Sequence, residues 1–228
     1  MDTTFLFRLH TFFSGSSHGL THKIVFAPGT APMRKENSEI VDILFATDFE
    51  SAYFVDPVYS VAGTDSPLAW DLASIKKIDP LCRVLQTDTM VHVDFLYNDV
   101  KRRALFIAGD ATVPQFQPKE FTVFFSGKRI GVYPGVGLRG MPNEYLHEIL
   151  TRLPVGGYVV PDRALLDDSV YFVLPFSELG LQEVEGIREA IPRSAFPKGY
   201  SEDGRFITSN QAPGVGLYKK ISVRGYVA

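Results

Sequence analysis

The chain has 228 residues, 45% of them apolar and 21% charged, with a formal net charge of −3. That length and composition describe a globular chain with ample surface to bury, and the charge argues against packaging nucleic acid by bulk electrostatics. Cys82 is the single cysteine, which excludes an intramolecular disulfide and a cysteine metal cluster, so no metal is expected. Eighteen Phe and ten Tyr against one Trp point to pleated, half-buried surfaces and a β-rich core.

In chain order, Thr4 to Phe13 reads as a first strand and His22 to Ala27 as a second, separated by a Ser/Gly/His loop. Strands are expected again at Ile40–Thr47 and from Ala52 to Val61. Ser66-Pro67 opens a short helix, with Ser66 as N-cap and Pro67 at its first position. Thr89–Tyr97 alternates cleanly, placing Val91, Val93, Phe95 and Tyr97 on one face, and Asn98-Asp99 turns it into Ala104–Ala108. A second hairpin is expected from Phe121–Phe125 through Ser126-Gly127 to Lys128–Tyr133. Helical stripes run from Pro142 to Leu153 and from Ser177 to Ile191, the second weakened by Gly180 and Gly186. Gly157–Val160 reads as a strand between them, and Val215–Val227 as a long final one. Hairpins followed by a few helices predict an α+β, β-rich fold with mainly antiparallel sheets and two or three short helices. One domain over 1–228 is expected, and the Pro/Gln-rich stretch Ala111–Lys119 is where two lobes would divide.

Pro-Gly-Val-Gly-Leu occurs twice, at Pro134–Leu138 and Pro213–Leu217, and Pro-Gly suits the centre of a type II turn. The first copy begins a G-x-G-x-x-G pattern, Gly135, Gly137 and Gly140, followed by Asp162 where a dinucleotide-binding unit places its ribose acid. Its neighbourhood, a tight hairpin before it and Pro134 and Pro142 around it, favours turn chemistry over a phosphate cradle, and no cofactor is expected. His92 and Asp94 share a strand face, as a metal pair or a base with its carboxylate would, but an exposed polar face explains them as well. His10, His18 and His22 read as unrelated surface residues, and no catalytic residue is assigned.

The final strand sets Tyr218, Lys220, Arg224 and Tyr226 on one face and Leu217, Ile221, Val223 and Val227 on the other. A basic, aromatic strip of this kind suits an acidic partner or stacked single-stranded bases. The favoured reading is therefore a non-enzymatic structural or assembly subunit, such as a virion component. It would dock on copies of itself or other proteins through Tyr218, Lys220, Arg224 and Tyr226. A single-strand binder built of ferredoxin-like units and a nucleotide-dependent enzyme using Gly135–Gly140 are the alternatives. No apolar run approaches the roughly 20 residues that cross a bilayer, and the first residues lack a signal-peptide pattern. The cytoplasm, or a particle assembled there, is the expected location.

Overall fold

The computed structural model describes residues 3–32, 35, 38–60, 63–125, 143–160, 180–190 and 214–222. Its framework is a nine-stranded mixed sheet. The strands are β1 (Ile24–Pro28), β2 (Ser51–Val55), β3 (Arg83–Gln86), β4 (Met90–Tyr97), β5 (Val100–Ile107), β6 (Val123–Phe125), β7 (Tyr158–Val160), β8 (Leu181–Ala190) and β9 (Gly214–Lys220). Their order is β3-β4-β5-β2-β1-β6-β7-β9-β8. The five central strands, β5-β2-β1-β6-β7, pair in parallel, while β3 and β4 on one side and β9 and β8 on the other pair antiparallel.

This corrects the expected antiparallel α+β architecture to a Rossmann-like, doubly wound α/β one. The reason lies in two segments whose apolar runs were read as strands. Over α1 (Thr3–Ser14) burial falls on Phe5, Leu6, Leu9 and Phe13, a helical spacing, while Phe7 is exposed. In α2 (Ile40–Thr47) the buried positions are Ile40, Ile43, Leu44, Ala46 and Thr47. A short apolar run does not distinguish a buried helix from a buried strand, and here α2 is the crossover that makes β1 and β2 parallel. The reverse error occurs at β8, read as a helix. Gly180 and Gly186 have φ near +71° and +77°, and a bulge interrupts the pairing with β9 between Glu183 and Arg188.

The second hairpin is also corrected. Val123–Phe125 is flanked by β1 on one side and β7 on the other, both parallel, so neither edge is open to a returning arm. Lys128–Tyr133 lies outside the described residues. The Asn98-Asp99 hairpin forms as expected, with φ of 50° and 61° at its two loop residues, the signature of a primed turn. The Ser66 helix forms too: α3 (Pro67–Ile78) begins at Pro67, and Ser66 Oγ accepts from Ala69 N–H at 3.3 Å.

Helices cover both faces. α1, α2 and α3 bury one face in a cluster that includes Phe13, Val25, Leu44, Phe49, Phe54, Ile75, Val93, Phe106, Phe125 and Leu217. α4 (Asn143–Arg152) covers the other face through Ile149 and Leu150, and with Leu153 these pack on Phe26, Phe124, Val159 and Tyr218. The chain moves from β1 to β2, out to β3 at the edge and back through β4 to β5, then crosses to the far side of β1 as β6 and continues to β7. The stretch Ala111–Lys119 carries a short 3-10 turn at Pro114–Phe116 and joins β5 to β6 within the one sheet.

Candidate functional site

The reversal between β1 and β6 is a topological switch point. In open α/β sheets the loops leaving the carboxyl ends of strands diverge there and open a crevice. Three described segments meet at that edge: Gly29–Ala31 after β1, Asp56 after β2, and Ala108–Ala111 after β5. Backbone bonds lock them in step. Gly29 N–H donates to Val55 O at 2.9 Å, and Asp56 N–H donates to Ile107 O at 3.1 Å. Gly29 has φ near +67°, so the chain leaves β1 through a turn that suits glycine.

Asp56 stands half-buried at the end of β2, and its Oδ1 accepts from Val58 N–H at 3.0 Å. Asp110 is exposed after β5, and its Oδ1 accepts from Thr112 N–H at 2.9 Å and from the Thr112 hydroxyl at 2.8 Å. Between β5 and Asp110 the backbone approaches the Phe116 ring closely. A Cβ on Gly109 would lie 2.4 Å from Phe116 Cγ. Gly109→Ala should therefore displace Phe116 and cost about 1–3 kcal/mol, the usual range for overpacking. Urea unfolding of the variant checks this, and an unchanged midpoint would show that the ring moves freely. Downstream, Arg152 at the end of α4 donates to Gln117 and Pro118 O, which ties this segment to the second helix layer.

Behind the loops lies a buried polar chain. Asp71 of α3 is 2% exposed, accepting from the Ser38 hydroxyl at 2.7 Å and from the Tyr59 hydroxyl at 2.8 Å. Thr30 donates to Ala27 O at 3.0 Å. Burial pushes the Asp71 carboxyl up to about 7, the Ser38 and Tyr59 donors pull it back, and the charges of Glu39 and Asp56 add to the rise. Burial and the adjoining Asp71 likewise raise the Tyr59 phenol well above its ordinary value.

A larger cavity, about 660 Å³, opens at the opposite, amino end of the parallel strands, where Glu50, Asp79, Arg83, Asp94, Lys101 and Arg103 line it. Its charges are of mixed sign, and some are spent on each other: Arg103 Nε donates to Asp94 Oδ1 at 2.7 Å across the β4–β5 ladder. That ion pair holds the Asp94 carboxyl below its ordinary value and accounts for the polar face His92 shares. No group of three or more potential metal ligands occurs among the described residues.

The docking strip expected on the last strand is interior at Tyr218 and Lys220. β9 lies inside the sheet between β7 and β8, with Leu217 in the cluster under one helix layer and Tyr218 in the cluster under the other. Alternation there separates two buried faces and not a wet face from a dry one. Lys220 is 3% exposed, and its Nζ donates to Leu150 O, to Thr151 O at 3.3 Å and to Leu153 O at 2.6 Å. It caps the carboxyl end of α4, where the helix dipole favours a cation. Arg224 and Tyr226 lie outside the described residues, as do Gly135, Gly137, Gly140 and Asp162 of the glycine-rich pattern. The second Pro-Gly-Val-Gly-Leu is not a corner: Gly214 to Leu217 is extended strand, paired with β8 as Ala190↔Gly214 and Arg188↔Gly216.

The histidines serve three separate purposes. His10 stacks on Phe45 with centroids 4.3 Å apart, and His22 meets Glu50 at 2.9 Å. His18, expected at the surface, is 8% exposed, and its Nδ1 accepts from Leu20 N–H at 2.9 Å. Asp56, Asp71 and Tyr59 were not singled out from the sequence. The available signal was an acid directly after the apolar run Ala52–Val55, which becomes informative only once that run is known to be a parallel strand.

No family model matches the chain, and no curated protein matches it in sequence. A solved structure described as an rRNA methylase from Streptococcus thermophilus is similar over 97% of this chain and 99% of its own, at 12% identity and a TM-score of 0.48. At that identity and score the likeness transfers no residue, substrate or activity. The reading as a non-enzymatic structural or virion subunit is corrected: its docking strip is interior at Tyr218 and Lys220, and the sheet is doubly wound with its order reversing between β1 and β6. The ferredoxin-like alternative falls with the antiparallel sheet it required. No helix among the described residues is long and apolar enough to cross a membrane.

Proposed function

We propose that the carboxyl edge of the sheet binds a nucleoside carrying a cationic tail, a sulfonium nucleoside of the S-adenosylmethionine kind, and that the chain is a group-transfer enzyme domain. The observation that carries this reading is Asp56. It sits at the end of the strand next to the switch-point strand, held in place by the Ile107 carbonyl, where a carboxylate accepts from ribose hydroxyls in doubly wound folds. The sequence after β1, Gly29-Thr30-Ala31-Pro32, has one glycine where a dinucleotide loop uses three for pyrophosphate to approach the backbone. Thr30 and Ala31 are buried, so this turn packs inward. A nucleoside without a pyrophosphate suits such a loop. The acids around it, Glu39, Asp56 and Asp110, suit a positive tail over a polyphosphate. When bound, a sulfonium nucleoside supplies an electrophilic alkyl group, and the residues described above bind and orient its nucleoside half.

Calorimetric titration with S-adenosylmethionine, NAD⁺ and ATP tests the reading. S-adenosylmethionine should bind and the two phosphate-bearing ligands should not. Asp56→Ala should weaken binding tenfold to a hundredfold or more, since hydrogen bonds to a charged group contribute about 1.5–3 kcal/mol. Binding of NAD⁺ or ATP in preference, or an unaffected Asp56→Ala variant, would discard it.

A further inference from the structure

We infer that Asp71 is a positioning residue: its proton state governs how firmly the loops after β1 and β2 are held at the carboxyl edge. The geometry carries this. One carboxyl group, on α3, receives Ser38 from the end of the β1–α2 connection and Tyr59 from the 3-10 turn Pro57–Ser60 that follows Asp56. Tyr59 N–H donates to Asp56 O at 3.2 Å, so the residue that anchors to Asp71 also fixes the turn carrying Asp56. A single buried group thus joins both loops to α3.

The charges facing Asp71 from the packed elements are those of Glu39 and Asp56, both negative, while Tyr59 and Ser38 are neutral. On its own helix the cations Lys76 and Lys77 stand in the last turn. The protonated form therefore rests in the network without repulsion. The ionised form confronts two like charges in a dry setting, which favours opening of the loops to admit water. The direction follows: a group raised from 3.8 to about 7 in the folded state contributes order that is complete below about pH 3.8 and is lost as pH rises through about 7.

The test uses the full chain in two arms. In the first, hydrogen exchange without ligand, corrected for the intrinsic pH dependence of exchange, is followed from pH 5 to 9. Protection of Gly29, Val58 and Tyr59 amides should fall severalfold with a midpoint near neutrality, while the β4–β5 ladder stays flat. In Asp71→Asn, which mimics the neutral form, the loop protection should lose that step. A wild-type protein without the step, or an Asp71→Asn variant that keeps it, overturns the inference. The second arm rests on the nucleoside reading and uses S-adenosylhomocysteine, whose neutral sulfur removes attraction of a sulfonium from the profile. Its affinity should fall severalfold through the same midpoint in the wild type and remain level in Asp71→Asn. Affinity level with pH in the wild type, beside a clear exchange step, would overturn the link from loops to ligand. Failure of the wild type to bind at any pH would overturn the nucleoside reading, leaving the loop device decided by the exchange arm alone.

Discussion

Asp48→Ala should lower the stability of the fold by about 3–5 kcal/mol, the cost of breaking a buried pair and leaving its partners uncompensated. Asp48 ends α2 in the left-handed region, with φ near 45°, and meets two cations at once. Its Oδ2 accepts from Lys23 Nζ at 2.6 Å, and its Oδ1 pairs with Arg102 Nη2, whose side chain is 6% exposed. Arg102 Nη1 also donates to Phe49 O at 3.0 Å, while its buried Nε has no partner among the described residues. Lys23 Nζ reaches Phe13 O at the end of α1 at 3.1 Å. One carboxylate thus ties α1, α2, the entry to β1 and β5 together at the amino end of the sheet. Alanine removes the one acid that pairs with Lys23 and Arg102 among the described residues and places a Cβ residue without a side-chain acceptor at a positive φ, a further cost. Asp48→Asn keeps an acceptor and tolerates the backbone, so it should lose less than the alanine variant. Urea unfolding of both reads this directly. A loss below about 1 kcal/mol for Asp48→Ala would mean the cluster contributes no more than a surface ion pair.

Lys220→Met should cost about 2–3 kcal/mol, because it keeps most of the apolar stem and leaves the last carbonyls of α4 without their donor. Burial also lowers the ammonium from its ordinary value, so the native state carries a desolvated cation there. The methionine variant relieves that desolvation, which is why the expected loss stays below that at Asp48. The two chemistries separate in hydrogen exchange. Loss of the cap should expose amides of α4 before those of the β4–β5 ladder, whereas a general packing defect would loosen both. A variant as stable as the wild type would reduce Lys220 to a residue that merely tolerates burial, and the cap would then be formed by water.

Much of the local structure was readable from the chain. Strand β4, its Asn98-Asp99 turn, the Ser66-Pro67 helix start and the α4 stripe depend on contacts within a few residues, and their patterns carry them. The errors fall where two structures bury the same composition. Phe5 to Phe13 and Ile40 to Thr47 are apolar enough for either a strand or a helix, and propensity for aromatic and β-branched residues pointed the wrong way. In β9 the alternation was correctly seen and wrongly assigned, because a central strand alternates between two buried layers. Lys220 reads as a surface charge since nothing near it in sequence reveals the helix end that receives it. The site suffered the same way: Ser38, Asp56, Tyr59 and Asp71 are separated by intervening elements, and no spacing rule joins them.

By itself the sequence determined a set of short aromatic strands, the Asn98-Asp99 turn, the Ser66-Pro67 helix start and the exclusion of an intramolecular disulfide. Only the tertiary structure decided that the central strands run parallel, that the order reverses between β1 and β6, and that Asp56 stands at the carboxyl end of β2 beside that reversal. The physical reason is that direction in a sheet is set by what crosses between strands. Once α2 is a helix, β1 and β2 must be parallel, and the loops at their carboxyl ends gather on one edge.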